Sequence, residues 1–278
     1  MPLNPDARLA LNELLLSLYG ATPSARQSLL ALVERLPHGE RVSYEVPSPE
    51  YLEPQDLIWR LIRWMENAGL INQEFFDALA RHKPNQTVEI RDVQRLIQRL
   101  VLFLAATPDG AAPLEVDKEC AEVIAAIRGV FGNRAWALLP FTDITLDAWI
   151  EKIALYKPDV LHFSGHGTIW GLPVVEGDEP LVLEPLVEQI RGSRIRGVVL
   201  NACHSGRLAR SLVEQTGVSW AIGTSKAVND AVAVQFARGF YQGLGLGEEP
   251  AVAFARGKAA CKWHTLVGDD VLEFYRKP

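Results

Sequence analysis

The 278-residue chain is 48% hydrophobic and carries a formal net charge of −6, with an isoelectric point near 5.6. That is enough chain and apolar content for one large or two small globular domains, and the acidic balance argues against a nucleic-acid surface, which needs clustered Lys and Arg. Cys120, Cys203 and Cys261 are widely spaced and odd in number, as expected in a reducing compartment; no run reaches the ~18–20 apolar residues of a membrane span and no basic signal region opens the chain, so a cytoplasmic protein with protein partners and no membrane contact is expected.

The first hundred residues read as helices. Asn4-Pro5-Asp6 supplies a cap and a first-turn proline for a helix from about Pro5 to Tyr19, with Leu9, Leu11, Leu14, Leu15 and Leu18 apolar and Gly20 as its end. Thr22-Pro23 opens a second, with Leu29, Leu30, Leu32, Val33 and Leu36 inward and Pro37-His38-Gly39 as its stop. Val42 to Pro54 holds three prolines and reads as extended chain or loop. A third helix from Gln55 to Asn67 sets Leu57, Ile58, Leu61, Ile62, Trp64 and Met65 near the helical period, opposite Arg60, Arg63 and Glu66. Asn72 caps a fourth, with Phe75, Phe76 and Leu79, and residues 87–100 form a fifth. These describe a small all-α bundle over residues 1–99 without a catalytic constellation. His38 and His82 are too far apart for ligand spacing. Such a bundle either stabilises its neighbour or serves as an adaptor.

From Leu100 the period changes. Val101 to Ala105 reads as a strand closed by a turn at Thr107-Pro108-Asp109-Gly110, Leu114 to Phe131 as a helix, Ala135 to Leu139 as a strand and Leu146 to Tyr156 as a helix. Two further apolar runs follow, one ending in Gly165-His166-Gly167 and one in Ala202-Cys203-His204-Ser205-Gly206, with a short hairpin after Gly167 and a helix from Pro185 to Arg191 between them. Val218 to Gly223 is a last strand at the far side of the sheet, and helices near 228–244 and 250–264 complete the cover. Alternating strands and helices predict right-handed crossovers and a mostly parallel sheet with helices on both faces.

Ligands and catalytic groups in such sheets collect at the carboxyl ends of the strands. If the two apolar runs are neighbours, His166 and Cys203 meet there. A thiolate is a nucleophile, and an imidazole takes the thiol proton or stabilises the thiolate. Gly167 lets the backbone approach a substrate carbonyl, so that its N–H and that of Cys203 form an oxyanion hole, while Gly206 lets the chain turn into the next helix. Taken singly, such a Cys is more often a small core residue and such a His a hydrogen-bonded strand end; together at two strand ends they favour the catalytic pair.

These residues carry a resemblance. HFSGHG followed by VVLNACHSG, with LFLAATPDGAAPLEVDKE before them and WAIGTSKAVNDAVAVQFARGFYQGL after, resembles the CHAT group of caspase-like cysteine peptidases, relatives of caspases, metacaspases and separase, over residues 100–278. The resemblance implies a caspase-like α/β fold, His166 and Cys203 as the catalytic pair, Gly167 and Cys203 as oxyanion donors, a protein substrate, and no metal or cofactor. It also implies a role in bacterial defence or regulated cell death. The helical segment ahead of it resembles effector-associated, death-like domains, which implies an adaptor or sensor partner bound through residues 1–99. At Asn201 the chain departs from the metacaspase pattern, where an Asp helps bind a basic P1 side chain; an uncharged P1 residue is therefore expected, with Asn201 on the pocket wall. Asp230 is either a substitute carboxylate or a helix cap.

Three other readings compete. His162 and His166, four apart, with Cys203-His204 suggest zinc, but His162 lies deep in a strand with no carboxylate near in sequence to orient it. His204 adjoins the nucleophile as a rival base, yet adjacent residues project in different directions. Ser205-Gly206 ahead of a helix suggests phosphate, without the Gly-rich loop and Lys that usually accompany it. A catalytically inactive binding module of the same fold is the alternative from another functional class.

Overall fold

The helical period of the first hundred residues is realised as helices in the computed structural model, which describes residues 3–106, 116–128, 135–168, 172, 183–264 and 269–277. The chain divides into two units, Met1–Gln98 and Arg99–Pro278. In the first, α1 (Pro5–Tyr19), α2 (Pro23–Glu34) and α5 (Gln73–His82) begin at Asn4, Thr22 and Asn72, whose side-chain oxygens accept from the backbone N–H three residues on. α4 (Pro54–Ala68) ends at Gly69 with φ 81°, a left-handed cap that suits glycine. α6 (Thr87–Ile97) closes the unit. Leu11, Leu15, Leu29, Val33, Leu61, Ile62, Phe75, Phe76 and Leu79 fill its core.

Two local expectations change. The stretch expected as loop contains a one-turn helix, α3 (Val42–Glu45), held because Val42 and Val46 are buried in the same core, a tertiary gain that outweighs the neighbouring prolines. Leu9 and Leu96 are about half exposed, since each falls off the apolar stripe of its helix.

The second unit alternates strand and helix as the sequence predicts: β1 (Arg99–Ala106), α7 (Val116–Arg128), β2 (Trp136–Phe141), α8 (Leu146–Tyr156), β3 (Val160–Gly165), α9 (Leu183–Ile190), β4 (Gly197–Asn201), α10 (Gly206–Gln215), β5 (Trp220–Thr224), α11 (Asp230–Gly245), α12 (Pro250–Trp263) and β6 (Leu272–Arg276). The sheet order is β2-β1-β3-β4-β5-β6. All pairs are parallel except β5 with β6. Side chains alternate across the sheet, so Leu102, Phe163 and Leu200 pack with Trp149, Leu186 and Leu212 on one face, while Val101, Phe103 and Val199 pack with Val123, Phe236 and Phe240 on the other. The fold class is the expected one, an α/β unit with a mostly parallel sheet covered on both faces and a small helical bundle ahead of it.

β6 is a correction. The strand expected at the far side, β5, is covered by an antiparallel strand that pairs Trp220 with Arg276 through Thr224 with Leu272. It is short and half-exposed, with too little apolar periodicity to announce itself. The expected turn at Thr107–Gly110, the ends of the helix expected over Leu114–Phe131, and the hairpin holding Trp170, Gly171, Pro173, Gly177 and Pro180 lie outside the described residues.

Because the helical unit has its own apolar core and its own caps, a fragment ending at Gln98 should fold alone. The expected outcome is a helical circular-dichroism spectrum with a cooperative thermal transition; a non-cooperative melt would show that the bundle depends on the rest of the chain.

Candidate active site

β3 and β4 are neighbours in parallel register, Ser164 opposite Asn201, so Gly165-His166-Gly167 and Ala202-Cys203 leave the sheet on the same side. The two loops meet backbone to backbone. A Cβ on Gly167 would lie 2.0 Å from the Cys203 carbonyl oxygen and 2.8 Å from its nitrogen, so only glycine permits this approach. His166 and Cys203, both half-buried, line one pocket. The Val228 N–H donates to Cys203 Sγ at 3.4 Å.

The Cys203 loop is pinned from below. Ser205 Oγ lies 2.7 Å from the Ala202 carbonyl oxygen and 2.9 Å from that of Leu200, and accepts the Thr224 N–H at 3.1 Å. Thr224 Oγ1 donates to the Ala202 carbonyl at 2.7 Å. The turn out of the loop is made by His204, whose φ is 58° and whose N–H donates to the Lys226 carbonyl. The sequence predicts that turn at Gly206. Gly206 instead serves close packing: a Cβ there would stand 2.5 Å from Glu273 Oε2 and 3.1 Å from the Thr224 carbonyl oxygen. His204 is exposed and absent from the pocket lining, which removes its support as rival base. The Glu273 carboxylate beside the start of α10 repels anions there, and Ser205 is committed to the loop, so the phosphate reading loses its support too.

Beneath the pocket lies a buried polar network. Glu119 of α7, 3% exposed, takes Ser164 Oγ on Oε2 at 2.5 Å, and Asn201 Nδ2 on Oε1 at 2.5 Å. His162 Nε2 stands 2.9 Å from the same Oε1 and its Nδ1 stands 3.0 Å from the Tyr241 hydroxyl; the ring stacks on Phe103 with centroids 4.6 Å apart. Burial, and then the nearby Glu119 charge, hold the Tyr241 phenol well above its ordinary pKa. No carboxylate near His162 in sequence orients it; α7 supplies one from 43 residues away. In the sequence Glu119 looks like one more acid of an amphipathic helix, with Asp117 and Glu122 as neighbours.

The pocket of about 40 Å³ is lined by Glu119, Ser164, His166, Asn201, Cys203 and Asp230, with Val116, Val228 and Val234 as apolar wall. Four of the residues expected at the site, His166, Cys203, Asn201 and Asp230, therefore come together, and Gly167 adjoins them. Asn201 is buried, its Nδ2 also within 3.3 Å of the Ala233 carbonyl oxygen, and its Oδ1 has no hydrogen-bond partner. The cap of α11 is Asn229, which accepts the Ala231 N–H, rather than Asp230. Asp230 is half-buried and has no ion-pair partner among the described residues. Among those residues no group of three or more His, Cys, Asp or Glu is arranged to hold a metal ion; the second ligand candidate, His162, is taken by Glu119 and Tyr241.

Comparison with known proteins adds a family. The model of the CHAT domain matches residues 68–262, well over half the chain; the match starts at the last residue of α4, so α5 and α6 fall inside it. The X-ray structure of an inactive zymogen C11 protease from Parabacteroides distasonis aligns with a TM-score of 0.41 and 12% identity, over 65% of this chain and 62% of that one. This chain thus spans less than two thirds of that protein. No curated protein matches.

Replacing Glu119 by Ala would leave the Ser164 hydroxyl, the Asn201 amide and His162 without their acceptor, at about 1–3 kcal/mol for each unsatisfied buried group. Chemical denaturation should show a loss of at least ~3 kcal/mol. Glu122→Ala, which removes only a surface pair with Arg238, should change stability by less than about 1 kcal/mol.

Proposed function

The chain belongs to the CHAT domain family, and from that premise we propose that it is a cysteine endopeptidase acting on a partner protein, with Cys203 as nucleophile and His166 as its proton partner. The observation that carries this reading is the contact of Gly167 with the Cys203 backbone at the ends of adjacent parallel strands, because it sets the His166 loop against the Cys203 loop. In the proposed reaction His166 takes the thiol proton, and sulfur attacks the scissile carbonyl carbon. The N–H groups of Gly167 and Cys203 stabilise the oxyanion. The amine leaves with the proton held on His166, and water then hydrolyses the thioester.

The 40 Å³ pocket has room for a few water molecules. For the P1 residue, the pocket supports a cation rather than the uncharged side chain expected from Asn201 alone. Glu119 is shared among three partners, but Asp230, on the wall, has no ion-pair partner among the described residues. We assign residues 1–99 the role of an effector-associated, death-like adaptor that recruits the enzyme to a partner, in the defence or cell-death setting that the resemblance implies. Its support is a separately packed bundle with no catalytic cluster.

Cys203→Ala and His166→Ala should each abolish cleavage of a peptide library while melting close to the unmodified protein. An active-site thiol reagent should label Cys203 and spare Cys261, which is fully buried, and Cys120, whose thiol burial pushes up to about 11. Cleavage in a folded Cys203→Ala protein would overturn the peptidase reading, and an unreactive Cys203 would favour the inactive binding module.

Asp230→Asn should weaken cleavage after Arg or Lys by a factor corresponding to ~2–5 kcal/mol for an unpaired charge, with apolar P1 residues unaffected. Profiling all residue types at P1 in both proteins checks this, and an unchanged profile would return Asp230 to the first turn of α11 as a dipole partner only.

A further inference from the structure

Two surface features of the helical unit complement each other, and neither is used by the catalytic site. The first is a groove of about 460 Å³ between α2 and α5. Leu32, Leu36 and Ala78 form its apolar floor, and Arg35, Arg81 and His82 its rim. No carboxylate lines it. Arg35 and Arg81 are exposed and make no ion pair among the described residues, so the groove presents two uncompensated guanidinium groups over apolar surface. Such a site suits an acidic segment carrying large apolar or aromatic side chains.

The second feature is a segment of that chemistry. Between Glu40 and Glu53 stand Glu40, Glu45, Glu50 and Glu53, all exposed, against a single cation, Arg41. Tyr44 and Tyr51 are 88% and 79% exposed, among the most exposed large side chains of the protein. The segment is nevertheless anchored, because Val42 and Val46 are buried, the Val46 N–H donates to the Val42 carbonyl and the Tyr51 N–H to that of Ser48. Exposed tyrosines on an anchored acidic segment have the character of interface anchors, since a tyrosine has only two side-chain torsions to fix when it docks.

We propose that the Tyr44–Glu53 segment of one copy docks in the α2/α5 groove of a second copy, tyrosine on the apolar floor and glutamates against Arg35 and Arg81. The inference rests on the adaptor reading of the helical unit and gives it a partner, this chain itself. Because groove and segment are different surfaces, the contact is heterologous, and each copy added leaves one of each open for the next. Assembly through the helical unit would then gather catalytic units, a form of clustering that needs no second protein.

The test uses the full chain in sedimentation velocity over a range of concentrations, with circular dichroism to confirm folding. The unmodified protein should self-associate with rising concentration, and less so at high salt. A groove variant, Arg35→Glu with Arg81→Glu, and a segment variant, Glu45→Lys with Glu50→Lys and Tyr51→Ser, should each associate at least tenfold more weakly alone. Mixed in equal amounts they should form a one-to-one complex, since the first retains its segment and the second its groove. A monomer at every concentration, self-association undiminished in either folded variant, or folded variants that do not pair on mixing would overturn the proposal. If the monomeric chain is still held by a different helical-domain protein through residues 1–98, the adaptor reading stands without self-assembly; if a fragment ending at Gln98 binds no such protein either, both fail.

Discussion

The carboxyl end of the sheet depends on one buried carboxylate. Glu119 reaches from α7 to β3 through Ser164 and His162 and to β4 through Asn201, and Asn201 extends the link to α11 at Ala233. Each of these groups is buried and would otherwise face apolar surroundings without a partner, a cost of a few kcal/mol. The network is satisfied except at Asn201 Oδ1, so the ends of two strands and two helices are held at fixed spacing. A pocket between them can then have a defined shape.

On that base the His166 and Cys203 loops are placed by backbone contacts rather than by side-chain fit. Gly167 lies against the Cys203 peptide, and the Ala202 carbonyl is bonded by Thr224 and approached by Ser205. The left-handed turn at His204 is strained for a residue with a Cβ. It persists where the surrounding bonds over-determine it, and such positions concentrate at functional sites. The loop is thus held in place immediately around the Cys203 thiol, as the proposed nucleophile requires.

The helical unit follows different rules. Its helices are delimited by local signals, side-chain caps at Asn4, Thr22 and Asn72 and a glycine cap at Gly69, and its interior is entirely aliphatic and aromatic apart from Arg26, Asn12 and a polar cluster at Gln94, Arg95 and Gln98. Its distinctive chemistry is on the surface, where exposed tyrosines and arginines without an ion pair among the described residues lie outside the core's constraints. Polar surface residues of this kind leave no periodic trace, which is why a reading of hydrophobic pattern passes over them.

Much of this was legible in the chain alone. Hydrophobic period, caps and glycines located five of the six bundle helices and the alternation of strand and helix, because each depends on residues within a few positions of one another. The residues proposed as catalytic, His166 and Cys203, were legible too, since apolar runs that stop at Gly-His-Gly and Ala-Cys announce strand ends, where parallel sheets collect functional groups. Only the tertiary structure decided the partners of buried groups. Glu119 and His162 are 43 residues apart, His162 and Tyr241 are 79, and no local signal distinguishes Glu119 from the other acids of α7. It likewise assigned the α11 cap to Asn229 and left Asp230 on the pocket wall, made a helix of a proline-rich stretch by burying Val42, and added β6 at the sheet edge. In each case the deciding energy is desolvation or pairing against a distant segment, and that quantity has no value until the chain is folded.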